Sequence, residues 1–385
     1  MRTRTRLALW LGMMASVVAA SPTIAQEGPP PEIPGRVESD PQLAAASEAW
    51  HGAWRANVEA QLRTIAARGT PRDLLVAGWL WPIENDDARR QESRSFWRRE
   101  ARDWIQAAYD ASTGDDPLVD WALLNACPKN DARCDRAQLL QRLMAADPGN
   151  AEVLLAAYHD AAERRDGNAA ERYWRAASNA THYRGHVNDV GLLMASTLRQ
   201  VPAPPLDPAL AAAMGEDFGI GRAATPQDLA DMAVMGINAA IAMPSLSPVT
   251  QRCRTQVEAL SVQARSACKR ICALMADDAS ILITRAVALP QLVQWADTDV
   301  ERAAARERLR RFAWVYENTM QLYQRPATAR QLPADYVDVF LRDGELAAMR
   351  RQLQANGLAG DPPVGWLPDH PDYRALLTDG PPSAP

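Results

Sequence analysis

Residues 147–178 read Asp147-Pro148-Gly149-Asn150-Ala151-Glu152-Val153-Leu154-Leu155-Ala156-Ala157-Tyr158-His159-Asp160-Ala161-Ala162-Glu163-Arg164-Arg165-Asp166-Gly167-Asn168-Ala169-Ala170-Glu171-Arg172-Tyr173-Trp174-Arg175-Ala176-Ala177-Ser178, and this stretch decides the fold class. On either side of Arg165-Asp166-Gly167 the chain is rich in Ala, Leu, Glu and Arg, the residues that lose least on entering a helix. Neither side alternates apolar and polar residues as a strand does. The stretch therefore reads as two helices, 151–165 and 168–180, closed by a turn. Asp116-Pro117 stands 31 residues before Asp147-Pro148, and it too precedes a pair of helical patterns, at 118–127 and 134–146.

The same grammar extends outward in both directions. Asp40-Pro41 offers a helix cap and a first-turn proline. Trp50, Trp54, Val58, Leu62 and Ile65 then recur on one helical face. Thr70-Pro71-Arg72-Asp73 and Thr225-Pro226-Gln227-Asp228 are two copies of one start signal, which points to two comparable halves. Further helical patterns cover 88–110, 183–199, 225–242, 250–276, 279–295, 333–342 and 344–356. The helix over 298–323 opens with a Thr298/Glu301 capping box. It carries Leu309, Phe312, Tyr316, Thr319 and Tyr323 as a seam for lengthwise packing. With 71 Ala among 385 residues, 47% hydrophobic and 23% charged, the chain is neither disordered nor a membrane bundle, and the fold class it specifies is all-α.

Counting from Ala151, Leu154 falls on the first large apolar site of a tetratricopeptide repeat, and Ala170, Trp174 and Ala177 fall on its small, aromatic and small sites. Pro148 occupies the place of the closing proline. The segment 116–180 thus resembles the tetratricopeptide type. Trp366-Leu367-Pro368-Asp369-His370-Pro371-Asp372-Tyr373-Arg374 resembles the terminal cap of some such arrays. As a whole the chain resembles exported, periplasmic helical-repeat proteins of Gram-negative bacteria. The resemblance implies a TPR-like array of helical hairpins, an α-solenoid, and a role in binding a protein or peptide partner in the cell envelope. It brings no chemistry with it.

The organisation expected along the chain follows. Residues 1–25 form a signal peptide: Arg2, Arg4 and Arg6 precede an apolar run from Leu7 to Ala20, too short for a membrane span. Thr23-Ile24-Ala25 or Val18-Ala19-Ala20 supplies the cut site. Residues 26–39 are a Pro-rich disordered leader, 40–200 an N-terminal helical-repeat region, and 201–224 a linker or long loop. Residues 225–360 are a C-terminal helical region, and 361–385 a terminal cap and flexible tail. The expected location is periplasmic or secreted. Cleavage would take the net charge from −5 to −8, which suits neither nucleic acid nor an anionic membrane.

Five cysteines in an oxidising compartment should mostly pair. Cys127 and Cys134 flank a turn and are expected to bridge. Of the other three, Cys253–Cys268 is the expected bond and Cys272 the buried thiol, with Cys253–Cys272 the alternative. Either bond requires the chain to fold back, since fifteen helical residues would hold the ends about 22 Å apart.

Candidate chemistry is sparse. His182, His186 and Asp189 could share a helical face and offer part of a metal site, but the metalloprotease spacing is absent. Asp115-Asp116-Pro117 caps a helix and is not a mid-helix metal cluster. There is no Gly-x-Ser-x-Gly, and Gly215, Gly219 and Gly221 fail the phosphate-loop spacing. No catalytic residue, metal or cofactor is assigned. Seven of the twelve Trp fall between Trp50 and Trp121. Trp79, Trp81, Trp97 and Trp104 are the binding candidates, suited to stacking on a peptide or a cell-envelope glycan. Their bulk equally suits filling gaps between Ala-rich helices. Trp79 and Trp81, two apart on one helix, should not both face one core.

Overall fold

A computed structural model describes residues 35–81, 99–126, 134–241, 246–253, 261–278 and 280–378. The expected signal peptide, most of the leader, Trp97, Cys127 with its bridge to Cys134, and the last residues of the tail lie outside the described residues. Eighteen α-helices and no strand occur among those described.

Local capping explains where the helices start. Helix α1 (Arg36–Ser39) is followed by α2 (Pro41–Ala66), whose cap Asp40 accepts from the Gln42 N–H at 2.8 Å. Helices α3 (Pro71–Leu80) and α11 (Pro226–Ile241) use the repeated start signal in the same way. The hydroxyls of Thr70 and Thr225 accept from the N–H groups of Asp73 and Asp228, each at 3.2 Å. Helices α4 (Arg99–Ala111), α5 (Pro117–Ala126) and α6 (Arg136–Ala146) lead into the hairpin of α7 (Ala151–Glu163) and α8 (Gly167–Ser178). In that hairpin the left-handed turn residue is Arg165, at φ 60°. Gly167 is already helical, because Asp166 caps α8 through the Ala169 N–H at 2.9 Å. Leu154, Ala170, Trp174 and Ala177 are all buried, as the hairpin reading requires.

The remaining helices are α9 (Val187–Leu198), α10 (Pro208–Phe218), α12 (Ser247–Cys253), α13 (Val262–Asp277), α14 (Leu282–Gln294), α15 (Asp299–Tyr323), α16 (Tyr336–Asp343), α17 (Glu345–Ala355) and α18 (Pro371–Thr378). From α2 to α8 each helix packs on the next. Long-range packing then takes over: α8 meets α13, and α13, α14 and α15 stack in order. Helix α17 lies between α15 and α16, and α16 returns to α9, which itself touches α3 and α5. The contacts therefore close on themselves, beyond the nearest-neighbour stacking of an open repeat array.

Two large cores result, and neither belongs to one half of the sequence. The first joins α2–α6 and α9 to Val234 of α11 and to Val337 and Leu341 of α16. The second joins Leu154, Leu155 and Trp174 of α7–α8 to α12–α15 and α17. Residues 201–224 contain α10, which packs on α1 and α2 through Leu210, Ala213 and Met214 and forms a third, smaller core with Val37 and Leu43. The described end of the leader is correspondingly helical and docked. Asp217 accepts from the N–H groups of Arg36 and Val37 at 2.7 and 3.0 Å, and Arg36 pairs with Glu216. A Cβ on Gly35 would lie 2.7 Å from the Asp217 carboxylate, so only glycine permits this approach.

The chain end covers α14 and α15. Trp366 stands edge-on to Trp314 with ring centroids 5.1 Å apart, and Tyr373 packs on Phe312. Cys253 and Cys268 form a disulfide that ties α12 to α13, with Cα atoms 5.7 Å apart. Cys272 is a buried free thiol, pushed up to about 12 by burial. We expect peptide mapping without reductant to link Cys253 to Cys268. Cys272 should resist alkylation in the native protein and react once it is unfolded, since the thiolate is the nucleophile. Rapid native alkylation would refute this burial.

Candidate functional site

The hairpins α5–α6 and α7–α8 stack so that α6, α7 and α8 enclose a groove of about 360 Å³. Leu140 and Ala157 lie buried beneath its floor, Met144 and Tyr173 are half-buried in its wall, and Gln141, Asp160 and Arg164 form a polar rim that supplies the larger share of its surface. Asp160 is held by Arg136 at 3.8 Å and by Arg164, the residue that ends α7. Asp160 is thus engaged by two guanidiniums, and Met144 and Tyr173 are the apolar side chains still partly open to the groove. A second groove of about 430 Å³ lies between α15 and the chain end, where Ala303, Leu367 and Leu377 contribute to a surface that is more apolar than polar. It is also lined by Asp299, Arg302, Arg306, Glu307 and Arg310, and Glu307 and Arg310 already pair with each other at 2.8 Å.

Between the two large cores runs a seam of ionisable side chains. Glu152, in the first turn of α7, accepts from the Trp121 indole N–H with both oxygens, at 3.2 and 3.3 Å. Burial pushes its carboxyl up to about 7, aided by Asp278 and opposed by the indole N–H and His186. Burial, with Glu152 and Asp278 nearby, holds the Tyr183 phenol well above its ordinary value. Asp278 accepts from the Ser280 N–H and hydroxyl at 3.0 and 2.6 Å and from the Thr284 hydroxyl at 3.2 Å. Glu345, the first residue of α17, accepts from the Leu282 N–H at 2.9 Å and so caps α14 from another helix. Its carboxyl is raised by burial, although the Leu282 N–H favours the charged form. The seam can take up a proton near neutral pH. Among the described residues no group of His, Cys, Asp and Glu could hold a metal ion.

Of the tryptophan candidates among the described residues, Trp79 and Trp81 occupy the first core and Trp104 packs against it. Trp79 and Trp81 are 3% and 2% exposed and lie in one cluster. The expectation that they could not share a core fails because α3 ends at Leu80: Trp81 is extended, at φ −60° and ψ 124°, and its side chain turns back inward. Trp104 is half-buried, edge-on to Trp81 at 4.9 Å, and the Arg63 guanidinium lies 4.7 Å from the Trp81 ring. Neither Trp79 nor Trp81 presents a face for stacking on a ligand.

The histidine pair is also separated. Helix α9 begins at Val187 with His186 as its cap, so His182 lies outside the helix and shares no face with His186. His182 bonds Asp147 at 3.0 Å, whereas His186 bonds Asp189 at 2.9 Å. Sequence reading missed Glu152, Asp278 and Glu345, each of which looks like an ordinary acid at a helix terminus. Only the first-turn position of Glu152, among the apolar Ala151, Val153, Leu154 and Leu155, hinted at burial.

No protein-family model, curated protein or solved structure matches this chain. No described helix is long and apolar enough to cross a membrane.

Proposed function

We propose that this is a non-catalytic, exported helical-hairpin protein of the tetratricopeptide-like kind that binds a protein or peptide partner in the periplasm. The observation that carries the reading is the groove across α6, α7 and α8. It lies on the two stacked hairpins whose sequence resembles the repeat, with Met144 and Tyr173 half-buried in its wall and Gln141, Asp160 and Arg164 at its polar rim. A short peptide fits such a surface: the polar rim hydrogen-bonds and orients its backbone, and Met144 and Tyr173 offer contact to one apolar side chain. The burial of Trp79 and Trp81 weighs against the glycan-stacking alternative, and the parting of His182 from His186 weighs against metal handling.

The test is site-specific photocrosslinking in the native envelope, with a photoreactive residue at Gln141 on the rim and a control at the fully exposed Val364. A discrete crosslinked protein from position 141 alone, lost on Tyr173→Ala, is the expected outcome. Equal crosslinking from both positions, or none from 141 with a working crosslinker, would overturn the reading.

A further inference from the structure

The groove between α15 and the chain end carries an ordered row of guanidiniums. Arg302, Arg306 and Arg310 stand four residues apart on α15, and all three line it. Four helical residues rise about 6 Å, so the charges repeat at that step along one face. Each side chain is tied to a backbone carbonyl from a different segment. Arg302 Nη2 donates to Ala296, just before α15, at 3.2 Å, and Arg306 Nε donates to Leu376 of α18 at 2.9 Å. Arg310 Nη1 donates to Pro363, in the connection from α17 to α18, at 2.9 Å. A carbonyl holds a guanidinium in place without cancelling its charge, so the row is preorganised for a ligand.

Two acids share the lining, and neither closes it. Glu307 accepts from Arg310 at 2.8 and 3.1 Å and from Arg311 at 2.8 Å, so it is committed at one end of the row. Asp299 bonds Arg302 at 3.2 Å, but its side chain is 100% exposed. Water and salt screen that pair, and an incoming carboxylate can replace it. Among the lining residues three guanidiniums thus meet two carboxylates, in a chain of net charge −5. Ala303, Leu367 and Leu377 add an apolar wall. Side chains on one side of an extended peptide recur every two residues, at about 6.6 Å, close to the arginine step. A compact oxyanion meets one or two of these groups; a chain of carboxylates follows the row.

We propose that this groove docks an extended acidic segment of a partner protein. Alternate carboxylates of the segment lie beside Arg302 and Arg306, an apolar side chain rests against Leu367 and Leu377, and Arg310, held by Glu307, closes one end. The groove lies on α15 and α18, apart from that of α6–α8, so the proposal stands or falls independently of the function proposed above.

The experiment is fluorescence anisotropy on the purified full chain with a labelled peptide that alternates Glu and Ala. A peptide that alternates Gln and Ala is the control. The expected result is saturable binding of the Glu peptide alone, weakening as salt rises. Arg302→Gln and Arg306→Gln should each weaken it about tenfold, the scale of one charge-assisted hydrogen bond, with helical circular dichroism retained. Asp299→Asn should tighten it about threefold, because an exposed competitor for Arg302 is gone. Arg342→Gln, on α16 beside Asp343, should change nothing. If Arg306→Gln does not fold, Arg302→Gln and the fully exposed Asp299→Asn still decide. Equal binding of the Glu and Gln peptides, or one affinity shared by the wild type, Arg302→Gln and Asp299→Asn, overturns the proposal. Inorganic phosphate at matched ionic strength should not displace the peptide; displacement as effective as by unlabelled peptide would overturn the proposal in favour of a compact oxyanion.

Discussion

Replacing Trp174 by Ala is expected to cost roughly 3–5 kcal/mol of stability, the range for emptying a buried aromatic site. Trp174 is 2% exposed and lies in the second core with Leu154 and Ala177. Tyr158 tilts against it with centroids 5.4 Å apart, and the Arg252 guanidinium sits 4.7 Å from its ring. Arg252 also pairs with Glu171 at 2.5 Å. The ring therefore joins α7, α8 and α12, and α12 is itself tied to α13 by the Cys253–Cys268 disulfide. Removing the ring opens a cavity that the disulfide prevents α12 from closing. Urea denaturation should show the full loss, whereas Arg252→Met should cost only about 1 kcal/mol, the scale of a cation over an aromatic face. A Trp174→Ala cost below 1 kcal/mol would show that the hairpin does not depend on this junction.

The second large effect concerns Glu152. Its carboxyl titrates near 7 in the folded protein and near the ordinary glutamate value of about 4.3 when unfolded. The folded state therefore holds a proton that the unfolded state releases between those values. Stability from this group is fully present below about pH 4.3 and is lost as pH rises through 7. Glu152→Gln keeps an acceptor for the Trp121 indole and removes the buried charge. The variant should match the wild type near pH 4 and exceed it by up to roughly 3 kcal/mol at pH 8, at about 1.4 kcal/mol per pH unit between. The comparison cancels the opposite trend of the paired carboxylates. A difference that is flat across pH would mean that Glu152 ionises freely at its site. Trp121 fluorescence should change through the same interval in the wild type alone.

Legibility in the sequence followed the range of the interaction. Helix starts were readable because a cap is decided within three or four residues, as at Asp40, Thr70, Thr225 and Thr298. The 151–178 hairpin was readable because its turn and its buried Leu154 and Trp174 depend on one another. Positions with mixed allegiance were not. Trp81 reads as helical until its backbone extends by one residue, and that single change sends it into the core. His182 and His186 have helical spacing, but the bonds of Asn150 to the Arg184 N–H and of its amide to the Arg184 carbonyl hold the chain in a different shape there.

By itself the sequence determined an all-α fold class, its helix starts, one hairpin with a buried aromatic site, and that any bond from Cys253 to Cys268 or Cys272 required the chain to fold back. The tertiary structure alone decided that the two halves interlock. It brought α16 back to α9 and α8 against α13, turned residues 208–218 into a packed helix, and set Glu152 against the Trp121 indole. The physical reason is one of locality. Capping and helical periodicity act within one turn of chain, whereas the burial of an acid such as Glu152 depends on groups as distant in the chain as Trp121 and Asp278. No local pattern encodes which of those groups will arrive.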